Sequence, residues 1–314
     1  MYNIEYNALE RGARNPVLML FSLILIALAG ILFVGPMLGY LFIYLNYGMS
    51  FLDFVDLIGN ASAYPEYRTA ILTVQGLNSI GAFILAPLIF MLFNQGPALK
   101  RFFPSKSLYL HTVLIASLAV IALMAVNTYF GELNATFKFP EFMSGFESWA
   151  RKMEDQLMEQ TKFLTKFESP GYFLLALVVI ALIPAVGEEL LFRGVLQNIF
   201  RHLTSNTHLA IWLSALLFAA MHFQFYGILP RMLLGALFGY IYWWSGNLLI
   251  PMLAHFINNA LLLTLLYTNE LGRTDFDVES TESLPLYAIL SFTLMTGICL
   301  YYFRRFYVNQ TLHG

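Results

Sequence analysis

Long apolar runs alternate with short polar stretches along the 314-residue chain. A helix needs ~20 mostly apolar residues to cross the hydrocarbon core of a bilayer. Eight runs read as such spans, at about 17–46, 70–93 and 109–130, from 172 into a glutamate pair at 188–189, then 208–223, 230–244, 248–267 and 284–303. The pattern predicts an all-α fold, a polytopic transmembrane helical bundle of about eight spans. Gly35-Pro36 interrupts the first run and predicts a kink there, because proline removes a backbone donor. That run is longer than a signal-peptide core and has no clear small-residue cleavage site, so it reads as a retained span.

Two polar intervals divide the chain. In the first, 131–170, the stretch 146–167 has apolar residues near helical spacing and charges of both signs. It predicts an amphipathic surface helix, either a solvated linker or an element that gates substrate or lies on the membrane. The second, 268–283, is acidic and polar and belongs outside the bilayer. Three regions follow: 1–170 with three spans and the amphipathic connector, 171–268 as a core, and 269–314 with the acidic loop and the last span. An even span count puts both termini on one side. Arg11, Arg14, Arg304 and Arg305, with Lys100, Arg101 and Lys106 between the second and third spans, favour that side as cytoplasmic. Five Lys/Arg between 131 and 170 lie on the opposite side.

Composition narrows the class further. The chain is 59% hydrophobic and 11% charged, against roughly 25% charged in soluble domains. A net charge of −2 supplies no basic field for nucleic acid. One cysteine, Cys299, excludes an internal disulfide framework and a cysteine-based zinc knuckle. It reads as a small buried or lipid-facing side chain. Asn60-Ala-Ser62 and Asn134-Ala-Thr136 match the glycosylation pattern, which is too short to carry weight by itself.

The polar residues inside the spans carry the candidate chemistry. Ile183-Pro-Ala-Val-Gly-Glu-Glu-Leu-Leu-Phe-Arg193 puts two carboxylates and a guanidinium in an apolar run. Each charge at a helix centre costs at least ~2.5–3.5 kcal/mol before partners offset it. Glu189 and Arg193 are four apart and can pair, while Glu188 points about 100° away round the helix. His255 and Asn259 are also four apart, and His222 ends Phe218-Ala-Ala-Met-His222. One carboxylate, two imidazoles and an amide suit water activation. Glu188, His222 and His255 make up one ligand set of catalytic zinc. Without metal, Glu188 beside a histidine takes a proton from water, and Asn259 donates to the oxyanion. Arg193 would neutralise and orient Glu189. Gln75, Asn78, Ser79 and Asn127 read as interhelical contacts, His202 and His208 as solvated, and Gly235-Ala-Leu-Phe-Gly239 as a close-packing motif. Trp243-Trp244, with Tyr240 and Tyr242, reads as an interfacial aromatic belt.

Taken in order, Glu188-Glu189-x-x-x-Arg193, Phe218-x-x-x-His222 and His255-x-x-x-Asn259 resemble the three motifs of the CAAX protease and bacteriocin-processing (CPBP, or Abi) family. Ser245-Gly-Asn-Leu248, before Pro251 and His255, is similar to the turn preceding the last motif. The resemblance covers about 172–266 and implies an intramembrane endopeptidase. By it, Glu188 and His222 activate water, His255 and Asn259 complete the site, and Glu189 and Arg193 support it. It leaves Zn2+ and metal-free glutamate chemistry both open, since the His-Glu-x-x-His pattern is absent. The expected substrate is a membrane-associated protein or peptide, and the expected location is the plasma membrane of a bacterium. The same ionisable residues would also serve a proton-coupled transporter as a relay, although no internal repeat is evident. A non-catalytic membrane scaffold is the third alternative.

Overall fold

The computed structural model describes residues 15–93, 102–103, 108–274 and 283–313. Arg11, Arg14, Lys100, Arg101 and Lys106, on which the orientation rests, lie outside them, as does 275–282 of the acidic loop. Among the described residues there is no strand. The helices in chain order are α1 (Pro16–Tyr47), α2 (Phe51–Gly59), α3 (Pro65–Phe93), α4 (Leu110–Ala135), α5 (Ser144–Leu164), α6 (Pro170–Thr204), α7 (Thr207–Ala220), α8 (Phe225–Ser245), α9 (Leu249–Glu270) and α10 (Leu286–His313). Seven are long and apolar enough to cross a membrane. The protein is an integral membrane helical bundle. The eighth expected span is the apolar helix α7, whose 14 residues cover only about 21 Å at 1.5 Å per residue. Residues 221–224 lead from it into α8.

Three long helices widen into π-helical turns immediately before a proline. These are Gly30–Val34 before Pro36, Ile80–Leu85 before Pro87, and Leu177–Leu182 before Pro184. The proline ring clashes with the carbonyl four residues back and offers no N–H to it, so the helix expands by one residue and continues. The Gly35-Pro36 interruption is the first of these. A fourth π-helical turn, Leu190–Leu196, contains no proline and follows directly on Glu188-Glu189. Such turns without a sequence breaker occur frequently at functional sites.

Glycines set how closely the helices meet. A Cβ on Gly187 would stand 2.7 Å from Phe83 Cβ, so α3 presses on α6 one residue from Glu188. The second span therefore forms a wall of the helix that carries both carboxylates. On the other flank, a Cβ on Gly235 would stand 3.1 Å from the Phe218 ring, and one on Gly239 2.8 Å from Ile211. The Gly-x-x-x-Gly stripe thus joins α7 to α8, as close-packing motifs do. Gly187→Val is expected to destabilise the fold by ~1–3 kcal/mol through overpacking against Phe83. A thermal unfolding midpoint in detergent equal to wild type would show that this contact is not tight.

The remaining elements fix the segment between α7 and α8. Asn127 of α4 donates to Pro230 O at 3.1 Å, an interhelical contact as expected. One residue from the end of α4, Asn134 donates to Phe225 O and accepts from Leu229 N–H, both at 3.0 Å. Its amide is committed inside the fold. The amphipathic helix α5 lies over the same turn: Phe146 and Trp149 meet Phe225 at 5.2 and 5.5 Å, and Glu154 accepts the Tyr226 N–H at 3.0 Å. Beyond its C-terminal end, Glu270 of α9 accepts the Phe167 N–H. Cys299 is buried between α10 and α4. His208 is exposed and bonds Tyr240 Oη, while His202 is partly buried.

Candidate active site

Four of the six expected site residues form one buried network. Glu189 is 0% exposed, Arg193 1%, His255 3% and Glu188 8%. Arg193 Nη1 donates to Glu189 Oε1 at 2.7 Å, the pairing that their spacing predicts. Its Nη2 donates to Gly235 O of α8 at 2.8 Å. Four residues on, Gln197 Nε2 donates to Gly239 O at 3.3 Å. Two polar side chains spaced by four on α6 thus meet two carbonyls spaced by four on α8, and the glycines let them approach. The Phe218 and Phe238 rings lie 4.7 and 5.4 Å from the guanidinium, within cation–π range.

His255 enters from α9. Its Nδ1 lies 2.9 Å from Glu189 Oε1. An ionised carboxylate only accepts, so Nδ1 is the donor and Nε2 is left for other partners. That nitrogen lies 3.9 Å from Glu188 Oε2. Phe238 stacks on the ring at 4.9 Å and 19°. Glu189 Oε1 is therefore claimed by both Arg193 and His255, while Glu188 makes no hydrogen bond among the described residues. The two adjacent carboxylates are separated by role: one is locked and the other is available.

His222 and Asn259 border this network without bonding to it. His222 Nδ1 lies 2.8 Å from Phe218 O. A carbonyl also only accepts, so here too Nε2 is left with its lone pair. The Phe218 ring stands between the two histidines, 5.1 Å from His222 and 5.9 Å from His255. Asn259 lies one turn along α9 from His255. Its Nδ2 reaches Ile180 O at 3.4 Å, in the π-helical turn before Pro184, and its Oδ1 accepts from Asn258 at 3.0 Å. Among the described residues, no three His, Cys, Asp or Glu side chains gather as a metal ion requires. The types of Glu188, His222 and His255 suit zinc, but their placement does not.

Arg231, near the start of α8, is a charged residue that the sequence reading passed over. It donates to Gly227 O at 3.0 Å and to Gln224 Oε1. The cost of a charge in an apolar run, which singled out the glutamate pair, applies equally to Arg231 and was the available signal.

Residues 170–261 match the family described as type II CAAX prenyl endopeptidase Rce1-like. The match is confined to this segment of the chain. The segment holds every residue of the network and both bordering groups. A Bacillus subtilis (strain 168) protein named YpbD, itself uncharacterized, is 37% identical over 115 residues. That likeness covers 34% of this chain and 54% of the relative, so the chain spans about half the length of the curated relative it matches. No solved structure matches the chain. The matched segment covers α6 through most of α9. Helices α1 to α5 lie outside it, yet α3 and α5 supply the wall behind Glu188 and the cover over residues 224–227.

Proposed function

We propose that the chain is an intramembrane endopeptidase that hydrolyses a peptide bond in a membrane-associated protein or peptide, with CAAX-type C-terminal processing as the reaction class. The observation that carries this reading is the 3.9 Å gap between Glu188 Oε2 and His255 Nε2. It is too long for a direct hydrogen bond and suits one bridged by water. Glu188 takes a proton from that water. The hydroxide adds to the scissile carbonyl carbon, and the carbonyl oxygen becomes an oxyanion that the Asn259 amide N–H stabilises. The proton held by Glu188 then passes to the leaving nitrogen as the C–N bond breaks. Glu189 takes no proton in this scheme. With Arg193 it holds the His255 ring so that Nε2 faces the water, a positioning role. His222 Nε2 is a second acceptor that orients the same water.

The water in this scheme is held by protein groups alone, in keeping with the donor spacing. The experiment is cleavage of a prenylated CAAX peptide by purified protein in detergent, before and after exhaustive chelation. Turnover is expected to survive metal depletion, and His222→Ala is expected to lower it by on the order of 10²-fold. Loss of turnover on chelation with recovery on added zinc would replace the glutamate scheme by a metal one. Full turnover by a folded His222→Ala protein would remove His222 from the reaction.

A further inference from the structure

In this conformation the site is closed to a polypeptide: Glu188 is 8% exposed and His255 3%. An endopeptidase has to open before a chain can lie beside its carboxylate, and the fold leaves few elements free to move. Helix α6 is pressed against α3 at Gly187 and tied to α8 and α9 through Arg193 and Glu189. Helices α7 and α8 meet at Gly235 and Gly239. Parting any of these would break the network that holds the site. Helix α5 is attached differently. Among its residues only Ala150 and Leu164 are buried. Its N-terminal part rests on the first turn of α8 through half-exposed groups: Phe146 and Trp149 against Phe225, Arg151 at 4.2 Å over the Tyr226 ring, and Glu154 on the Tyr226 N–H. Elements with so few buried contacts separate before the rest of a fold does.

The C-terminal end of α5 is anchored in the core. Leu164 is buried, and its carbonyl accepts the Tyr172 hydroxyl at 2.8 Å. Just beyond it, the Phe167 N–H donates to Glu270 of α9. Glu168 pairs with the buried Arg68 of α3, whose guanidinium lies 4.9 Å from the Phe163 ring. One end of α5 is thus bound to α3, α6 and α9, while the other is laid on the residues that follow His222. Those residues are themselves strained. Phe223 has a φ of 52°, which bulky side chains rarely adopt, and it is exposed. We propose that α5 is a hinged cover. Its N-terminal part lifts from Phe225 and Tyr226, lets residues 221–224 relax, and admits the substrate chain beside His222 and Glu188. The end from Leu164 to Glu168 stays in place. This rests on the endopeptidase reading and adds the element that controls entry to the site, outside the segment 170–261.

The test locks the cover in the full-length protein in detergent. Glu154→Cys with Tyr226→Cys, in a Cys299→Ser background, ties the lifting end to α8 through a short thiol-reactive cross-linker that a reductant cleaves. Arg68→Cys with Glu168→Cys, in the same background, ties the fixed end to α3. Two rates are read: cleavage of the prenylated CAAX peptide, and modification of Glu188 by a water-soluble carbodiimide, followed by peptide mass mapping. The first link is expected to lower both rates by about tenfold or more, with recovery on reduction, because it removes the open population. The second link is expected to leave both within about twofold of the reduced protein, because that end does not move. Unchanged rates with the first link closed, or equal losses from both links, overturn the hinge. If wild type and the reduced proteins leave the peptide uncut, the endopeptidase reading fails separately, and the carbodiimide rates still decide whether α5 covers Glu188.

Discussion

Glu188→Gln is expected to lower kcat for peptide cleavage by on the order of 10²–10⁴-fold with little change in peptide affinity. The amide is nearly the same size as the carboxylate but cannot take a proton from water, and that range is what a positioned general base contributes. Glu188 makes no hydrogen bond among the described residues, so the fold has little to lose. The thermal midpoint should therefore stay near that of wild type. Glu189→Gln makes the informative contrast: it weakens the hold on both Arg193 and His255, so it should cost stability as well as rate. If Glu188→Gln turns over substrate at the wild-type rate while Glu189→Gln is inactive but stable, the two carboxylates have been assigned the wrong way round.

Arg193→Ala is expected to destabilise the protein by ~3–5 kcal/mol, the cost of leaving a buried charge without its partner. Here that partner is Glu189, fully buried, with its second oxygen Oε2 already lacking a hydrogen bond among the described residues. The same substitution frees Gly235 O and removes the guanidinium from between the Phe218 and Phe238 rings. Phe238 also stacks on His255, so the loss reaches the site through packing as well as charge. The double variant Arg193→Met with Glu189→Gln should recover much of the stability, because no unpaired ion remains, and little of the activity, because His255 loses its anchor. Chemical unfolding in mixed micelles measures both. An Arg193→Ala protein within about 1 kcal/mol of wild type would mean that water reaches this pair.

Much of the site was legible because charge in hydrocarbon is costly whatever surrounds it. That argument alone picks out Glu188, Glu189 and Arg193, and helical spacing alone predicts the Glu189–Arg193 pair. The partner of His255 was not legible. Spacing by four suggests that His255 and Asn259 face one cavity, yet His255 bonds the glutamate that is already paired, while Asn259 turns to Ile180. Which carboxylate is left available depends on where α9 crosses α6, and no local pattern encodes that crossing. Helix α2 was also missed, being too short for a span, although Ser50 and Asp53 form a capping box at its start. The amphipathic α5 was expected, but its docking on Phe225 and Tyr226 follows from contacts 70 or more residues apart in the chain.

By itself, the sequence determined an all-helical membrane protein, the approximate course of its spans, and which polar groups had to be sheltered. These follow from the cost of exposing polar atoms to lipid, which acts on each segment separately. Only the tertiary structure decided the rest. Proline-driven widening of three helices, the fourth π-helical turn after the glutamates, and the glycine contacts that seat α6 between α3 and α8 set the distances. Those distances make one carboxylate an anchor and leave its neighbour 3.9 Å from an imidazole nitrogen. Such spacings are properties of helix crossings, and a crossing is fixed by both partners at once.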